Sequence, residues 1–128
     1  MKIYYEPVNL LQWNMFEKVK NCGHIEPFLA TNSMEVGDLM LLHVGKQSKQ
    51  YKSGVYAIGE IISEPFILKD HPDDYCNNKK TVMVKIVKIN YSIPFIAAEK
   101  FIKFNKQLRT VHIIDEQFNS EILNLIGK

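Results

Sequence analysis

The sequence predicts an α+β domain, a curved and mostly antiparallel sheet closing toward a small barrel, with flanking helices. Three observations predict it. The densest β signal is a central block of three long apolar runs, "GDLMLLHV", "GVYAIGEII" and "TVMVKIVKINY". Helical patterns lie toward the two chain ends and do not alternate with those strands, which separates α from β along the chain. The length of 128 residues is that of one domain, read as residues 1–128. Such a chain buries about two thirds of its unfolded surface and needs no disulfide or metal to fold.

Each element follows from local chemistry. "KIYYE", aromatic and β-branched, opens as a strand. "PVNLLQWNMFEKVKNCG" reads as a helix capped by Asn9, with Gln12 able to reach back and Gly23 as its left-handed terminus. Leu11, Met15 and Val19 then share a buried face, flanked by Trp13 and Phe16. Residues 24–36, "HIEPFLATNSMEV", carry no clean period and read as a long connection; loops of that length are often functional. "GDLMLLHV" and "GVYAIGEII" form a hairpin across the basic segment "GKQSKQYKS", with Gly59 marking a bulge or close approach. Pro65 ends that strand, and "LKDHPDDYCNNKK" is a polar surface excursion. In the third strand Val82, Val84 and Ile86 alternate inward against Met83 and Lys85. "FIAAEKFIKF" is a short helix, "RTVHII" a strand, and Asp115 to Gly127 a closing helix whose Phe118, Ile122 and Leu125 share one face.

Composition excludes several classes. With 46% hydrophobic and 23% charged residues this is ordinary globular protein. No apolar run approaches the ~20 residues of a membrane helix, and no signal peptide follows Lys2, so the expected setting is the cytoplasm, without membrane contact. Cys22 and Cys76 read as two free thiols of a reducing compartment. The net charge of +2 is small, but Lys79 to Arg109 carries eight basic residues against the single acid Glu99. Such a run is either a solvated face or a phosphate-binding footprint.

No catalytic motif is present in the sequence. His24, His43, His71 and His112 lack zinc-ligand spacing. There is no phosphate-cradling glycine loop, no nucleophile elbow, and the paired Asp73 and Asp74 sit in a polar turn. The expectation is a non-enzymatic binding module with no cofactor and no metal. Its distinctive residues are Tyr4, Tyr5, Trp13, Phe28 and His43, gathered in the first third of the chain. Packing accounts for an aromatic on a buried helix face such as Trp13. Phe28, beside Pro27 in a polar loop, is open to either packing or stacking. His43, ending an apolar strand, is either a satisfied core histidine or a pocket floor. A stacking ring, a polar strand end and a basic rim are the parts that hold an unstacked base.

The run from "GD" through a hydrophobic strand and a basic loop to "GVYAIGEIISEP" resembles the EVE domain of the PUA-like superfamily, akin to YTH domains. "YYEPVNLLQW", "TVMVKIVKINYSIPF" and "LRTVHIIDEQFNSEIL" are similar to its first strand and helix, its later strand and its closing strand and helix. The resemblance implies a PUA-like fold that holds a modified base in an aromatic pocket. "HVGK" followed by "SGVYAIGEI" is similar to the reader domains attached to modification-dependent restriction nucleases. By that likeness Phe28 stacks on the base, Asn32 lies in the following polar stretch, His43 and Gly45 line the pocket, and Arg109 precedes the last strand. The chain departs from the family at Phe28, where its best-known members carry tryptophan.

The leading expectation is therefore a reader of modified cytosine or adenine in DNA, or of a modified RNA base. It works alone or with a separately encoded nuclease or other effector. Tyr5, Asn9, Trp13, Phe28, Asn32, His43 and Gly45 would form the base pocket, and Lys46, Lys49, Lys52, Lys106 and Arg109 would hold phosphates. The alternative is a PUA-like module that binds a nucleoside-like metabolite or a protein and no nucleic acid. The position of those cations relative to the pocket discriminates the two.

Overall fold

The computed structural model describes residues 1–46, 49–106 and 109–127. Leu108, the first residue of the closing "LRTVHII" stretch, and Gln47 and Ser48 of the basic hairpin connection lie outside the described residues. The elements in order are β1 (Ile3–Val8), α1 (Met15–Lys18), β2 (Ile25–Leu29), β3 (Leu39–Val44), β4 (Gly54–Ile61), β5 (Phe66–Ile67), β6 (Lys80–Ile89), β7 (Ile96–Ala97), α2 (Ala98–Phe101), β8 (His112–Ile113) and α3 (Asn119–Leu125). The sheet runs β2-β6-β4-β3-β1-β8, with β5 pairing β6 and β7 pairing β4. All pairings are antiparallel except β1 with β3, which is parallel. The architecture is thus the α+β one expected: a curved mixed sheet forming a half-barrel, with flanking helices.

Because side chains alternate along a strand, the central strands feed two cores. Tyr4 and Val8 of β1, with Met40, Leu42 and Val44 of β3, join Met15, Phe16 and Phe28 on one face. Ile3, Tyr5, Leu39 and Leu41 point to the other, where Phe101, Phe104, Ile122 and Ile126 cover them. The closing helix behaves as its pattern requires: Ile122 is buried, and Phe118 and Leu125 pack against that second core. The Asp115 side chain accepts from the Gln117 N–H at 3.1 Å and starts the short 3-10 turn before it.

The "GD" pair has a structural explanation. Gly37 has φ +95°, a conformation that favours glycine. Asp38 is buried, accepts from the Lys2 N–H at 2.9 Å and from the Glu35 N–H at 3.0 Å, and so ties the start of β1 to the turn before β3. Gly59 marks a register shift in the β4–β6 pairing, and a Cβ there would collide with Val84 Cγ1. Gly59→Ala is expected to cost about 1–3 kcal/mol through overpacking, read as a lowered urea midpoint.

Two local expectations are corrected. The long helix over the "PVNLLQWNMFEKVKNCG" stretch is only the single turn α1, because β1 continues through Val8 and takes the start of that pattern into the sheet. Asn9 still organises a turn: its Oδ1 accepts from the Leu11 N–H at 3.0 Å, and its carbonyl accepts from Gln12 and Trp13. Met15 and Val19 are buried as the spacing requires, but Leu11 is 88% exposed. The second correction is the 24–36 connection, of which Ile25–Leu29 is strand β2, paired with β6. Pro27 is tolerated there because β2 is an edge strand. Phe28 is therefore a strand residue, 4% exposed, and not a loop aromatic. The polar excursion after Pro65 is also more than surface, since it buries Cys76.

Candidate functional site: the open end of strand β1

Among the described residues strand β8 pairs with β1 at Tyr4 and Tyr5, and its ladder does not extend along Glu6 to Val8. Pro7 fits such a position, having no N–H to leave unpaired. Around this open end lie three cavities, and Val8 and Asn9 line all of them.

The first cavity, about 290 Å³, lies on the face of the first core and is walled by Trp13, Phe28 and Tyr75. Trp13 meets Phe28 edge to face, with centroids 5.6 Å apart. Asn9, Gln12, Glu6 and Glu26 supply polar atoms, and no lysine or arginine is among its described lining residues. Glu6 follows the phase of Tyr4 and Val8, which places a carboxyl in an apolar stripe. It is 9% exposed, and its Oε2 is buried with no hydrogen-bond partner among the described residues. Burial pushes this carboxyl from its ordinary 4.5 up to about 8, so it holds its proton at neutral pH. Glu26 instead pairs with His24 at 2.7 Å. The Tyr75 ring is 52% exposed, while burial around its hydroxyl and the neighbouring Cys76 push the phenol upward.

The second cavity, about 400 Å³, is lined by Tyr5, Pro7, Asn9, Gln12, His43, Gly45 and Arg109 among others. His43 follows a register shift in the β3–β4 pairing and faces the second core. Its ring lies 5.3 Å from that of Tyr5 and 5.4 Å from that of Phe101. It is 2% exposed, and both ring nitrogens are buried without a partner among the described residues. Burial lowers it from 6.5 to about 4, which keeps the imidazole neutral. The third cavity, about 370 Å³, is lined by Asn14, Gly45, Lys49 and Tyr51 together with the shared β1 end.

The expected pocket residues thus divide between two faces. Asn9, Trp13 and Phe28 line the first cavity, and Tyr5, His43 and Gly45 line the second, with Asn9 common to both. The sheet separates Phe28, which packs in the first core, from His43, whose ring lies on Tyr5 and Phe101 of the second. Asn32 stands apart: it is exposed, accepts from Lys80 Nζ at 2.8 Å, and lines none of these cavities. Among the expected phosphate ligands, Arg109 lines the second cavity and Lys49 the third. Lys52 pairs with Glu99 at 2.9 Å, Lys46 acts electrostatically on the same glutamate, and Lys46 and Lys106 are exposed. Sequence reasoning missed Glu6, Gln12, Glu26 and Tyr75 as site residues. For Glu6 a signal existed, an acid in phase with the apolar residues of "IYYEPV"; for Tyr75 it was an aromatic within a polar turn.

No family model and no curated protein matches the chain. Solved structures do. A hypothetical protein from Leishmania major aligns with a TM-score of 0.67 at 14% identity, over 99% of this chain and 95% of that one. A protein from Pseudomonas syringae aligns at 0.66 and 13% identity, over 97% and 99%. The ASCH protein from Zymomonas mobilis aligns at 0.57 and 7% identity, over 97% and 95%. The chain shares the fold of these structures, an ASCH protein among them. At these identities the likeness concerns the fold, and the chemistry rests on the cavities above. Among the described residues no group of three His, Cys, Asp or Glu is placed to hold a metal ion, and no helix is long and apolar enough to cross a membrane.

Proposed function

We propose that this chain is a non-catalytic nucleic-acid reader of EVE type that takes one modified base, of DNA or RNA, into the cavity walled by Trp13, Phe28 and Tyr75. The observation that carries the reading is an aromatic-walled cavity of about 290 Å³ lined by Glu6, whose buried Oε2 has no partner among the described residues. Rings stack on a base face, and an unpaired polar atom gains a partner when a base edge arrives. Trp13, which is partly buried, is the stacking residue, and Phe28 is the rigid wall behind it. Asn9 and Gln12 lie between the first and second cavities. In this reading the flanking sugar and phosphate continue toward His43, Gly45 and Arg109, with Lys49 beside the third cavity. Tyr5 supports His43 from the second core and does not stack on the base. Asn32 and Lys52 are engaged elsewhere, and Lys46 and Lys106 add long-range attraction.

Fluorescence titration with single-stranded oligonucleotides carrying modified or unmodified bases tests this. Trp13→Ala is expected to weaken binding by about 5- to 150-fold, the equivalent of one stacked face at about 1–3 kcal/mol. Indifference both to the modification and to Trp13→Ala overturns the reading. A second reading, a nucleoside-like metabolite as ligand, is favoured by one observation: only Lys49 and Arg109 of the five expected cations line the cavities. Free nucleosides that bind as tightly as strands, with no dependence on salt, would decide for it.

A further inference from the structure

We infer that Glu6 is the edge-binding residue of the first cavity and meets the base as a neutral carboxyl, pairing with an acceptor that stands next to a donor. This rests on the reader function proposed above and names the residue that would hold the base edge. The geometry carries it. Glu6 shares its face of β1 with Tyr4 and Val8, both in the first core, so its carboxyl enters the cavity from an apolar surround. Glu6 lines a cavity with no lysine or arginine among its described lining residues, and its Oε2 is buried there with no partner among the described residues.

A carboxylate in such a place is poorly solvated and has no counter-charge, so it keeps its proton. The groups that bear on it point the same way. Glu26 on β2 is a second acid already joined to His24. The hydroxyls of Tyr75, from the excursion before β6, and of Tyr5, on the same strand, are raised chiefly by their own burial and stay neutral. None of them is a cation that would favour ionisation.

A neutral carboxyl presents one O–H donor and one carbonyl acceptor side by side. That pair complements a ring nitrogen beside an amine, or a carbonyl beside a ring N–H. Every base offers such a pair on its pairing edge, guanine at O6 and N1–H, whereas an ionised carboxylate has acceptors only. A glutamine at the same position offers the same donor and acceptor without titrating.

The test uses abasic single strands carrying one adenine, cytosine, thymine or guanine, and the best-binding strand of the modified-base panel, with Glu6→Gln and Glu6→Ala from pH 6 to 8.5. Glu6→Ala is expected to lose at least about tenfold, since the partner's buried polar edge is left unpaired. Glu6→Gln is expected to stay within about threefold of the unsubstituted chain and to bind independently of pH. The unsubstituted chain is expected to weaken as pH rises toward 8.5. The inference is overturned if Glu6→Gln loses as much as Glu6→Ala, or if unsubstituted binding is flat with pH. If no strand binds at all, the reader function itself fails, and this inference with it.

Discussion

Phe28→Ala is expected to destabilise the domain by about 3–5 kcal/mol, the usual range for emptying a buried phenylalanine site, a loss read directly from urea or thermal unfolding. Phe28 is 4% exposed in β2, its backbone pairs with Val82, and its ring meets Trp13 edge to face at 5.6 Å. For a domain of this size such a cost is a large fraction of the total stability. Binding lost in Phe28→Ala would therefore report unfolding as much as lost stacking. Trp13 separates the two effects, because it lines the same cavity while only packing against the edge of the core. A Phe28→Ala chain that melts within about 1 kcal/mol of the unsubstituted one would show that the ring is not part of the core.

Stability is expected to be level between about pH 4.5 and 6.5 and to fall above it, because two buried groups pull in opposite directions. Glu6 has its carboxyl raised from 4.5 to about 8 by burial. The folded state then holds a proton that the unfolded chain releases, so the associated stability is complete below 4.5 and is lost as pH rises toward 8. His43 is lowered from 6.5 to about 4, again by burial. Here the unfolded chain binds the extra proton, so the stability is complete above 6.5 and is lost as pH falls toward 4. Between 4.5 and 6.5 the two slopes cancel. From 6.5 to 8 only Glu6 changes, and its share of the loss is about 2 kcal/mol. Denaturation across pH checks this. Glu6→Gln should convert the profile to one that rises to pH 6.5 and stays flat. His43→Leu should expose the uninterrupted decline from 4.5 to 8. A profile that neither substitution alters would show that these groups are solvated in the folded protein.

The three central strands were legible in the sequence because each is long, apolar and bounded by glycine, proline or polar turns, a local property of β-structure. Gly59 and Asp115 were legible for similar reasons, since a bulge and a cap depend on a few neighbouring residues. The segment from Pro7 to Gly23 was not. Its apolar spacing suits a helix, but the parallel pairing of β1 with β3 extends the strand through Val8, and only α1 remains helical. Residues 25–29 were likewise ambiguous, because the partner that makes them a strand, β6, lies more than fifty residues away.

By itself, then, the sequence determined the α+β class, the central strands, the buried alternation of β6 and the gathering of aromatics in the first third of the chain. The tertiary structure decided which of those aromatics meet. It set Phe28 and Trp13 on one face and Tyr5 and His43 on the other. It also brought Tyr75 from a distant turn and left the Glu6 Oε2 buried without a partner among the described residues. The physical reason is that propensity and periodicity act over a few residues, whereas a site is made by strand register and sheet curvature. Those are fixed only when residues far apart in the chain pair and pack.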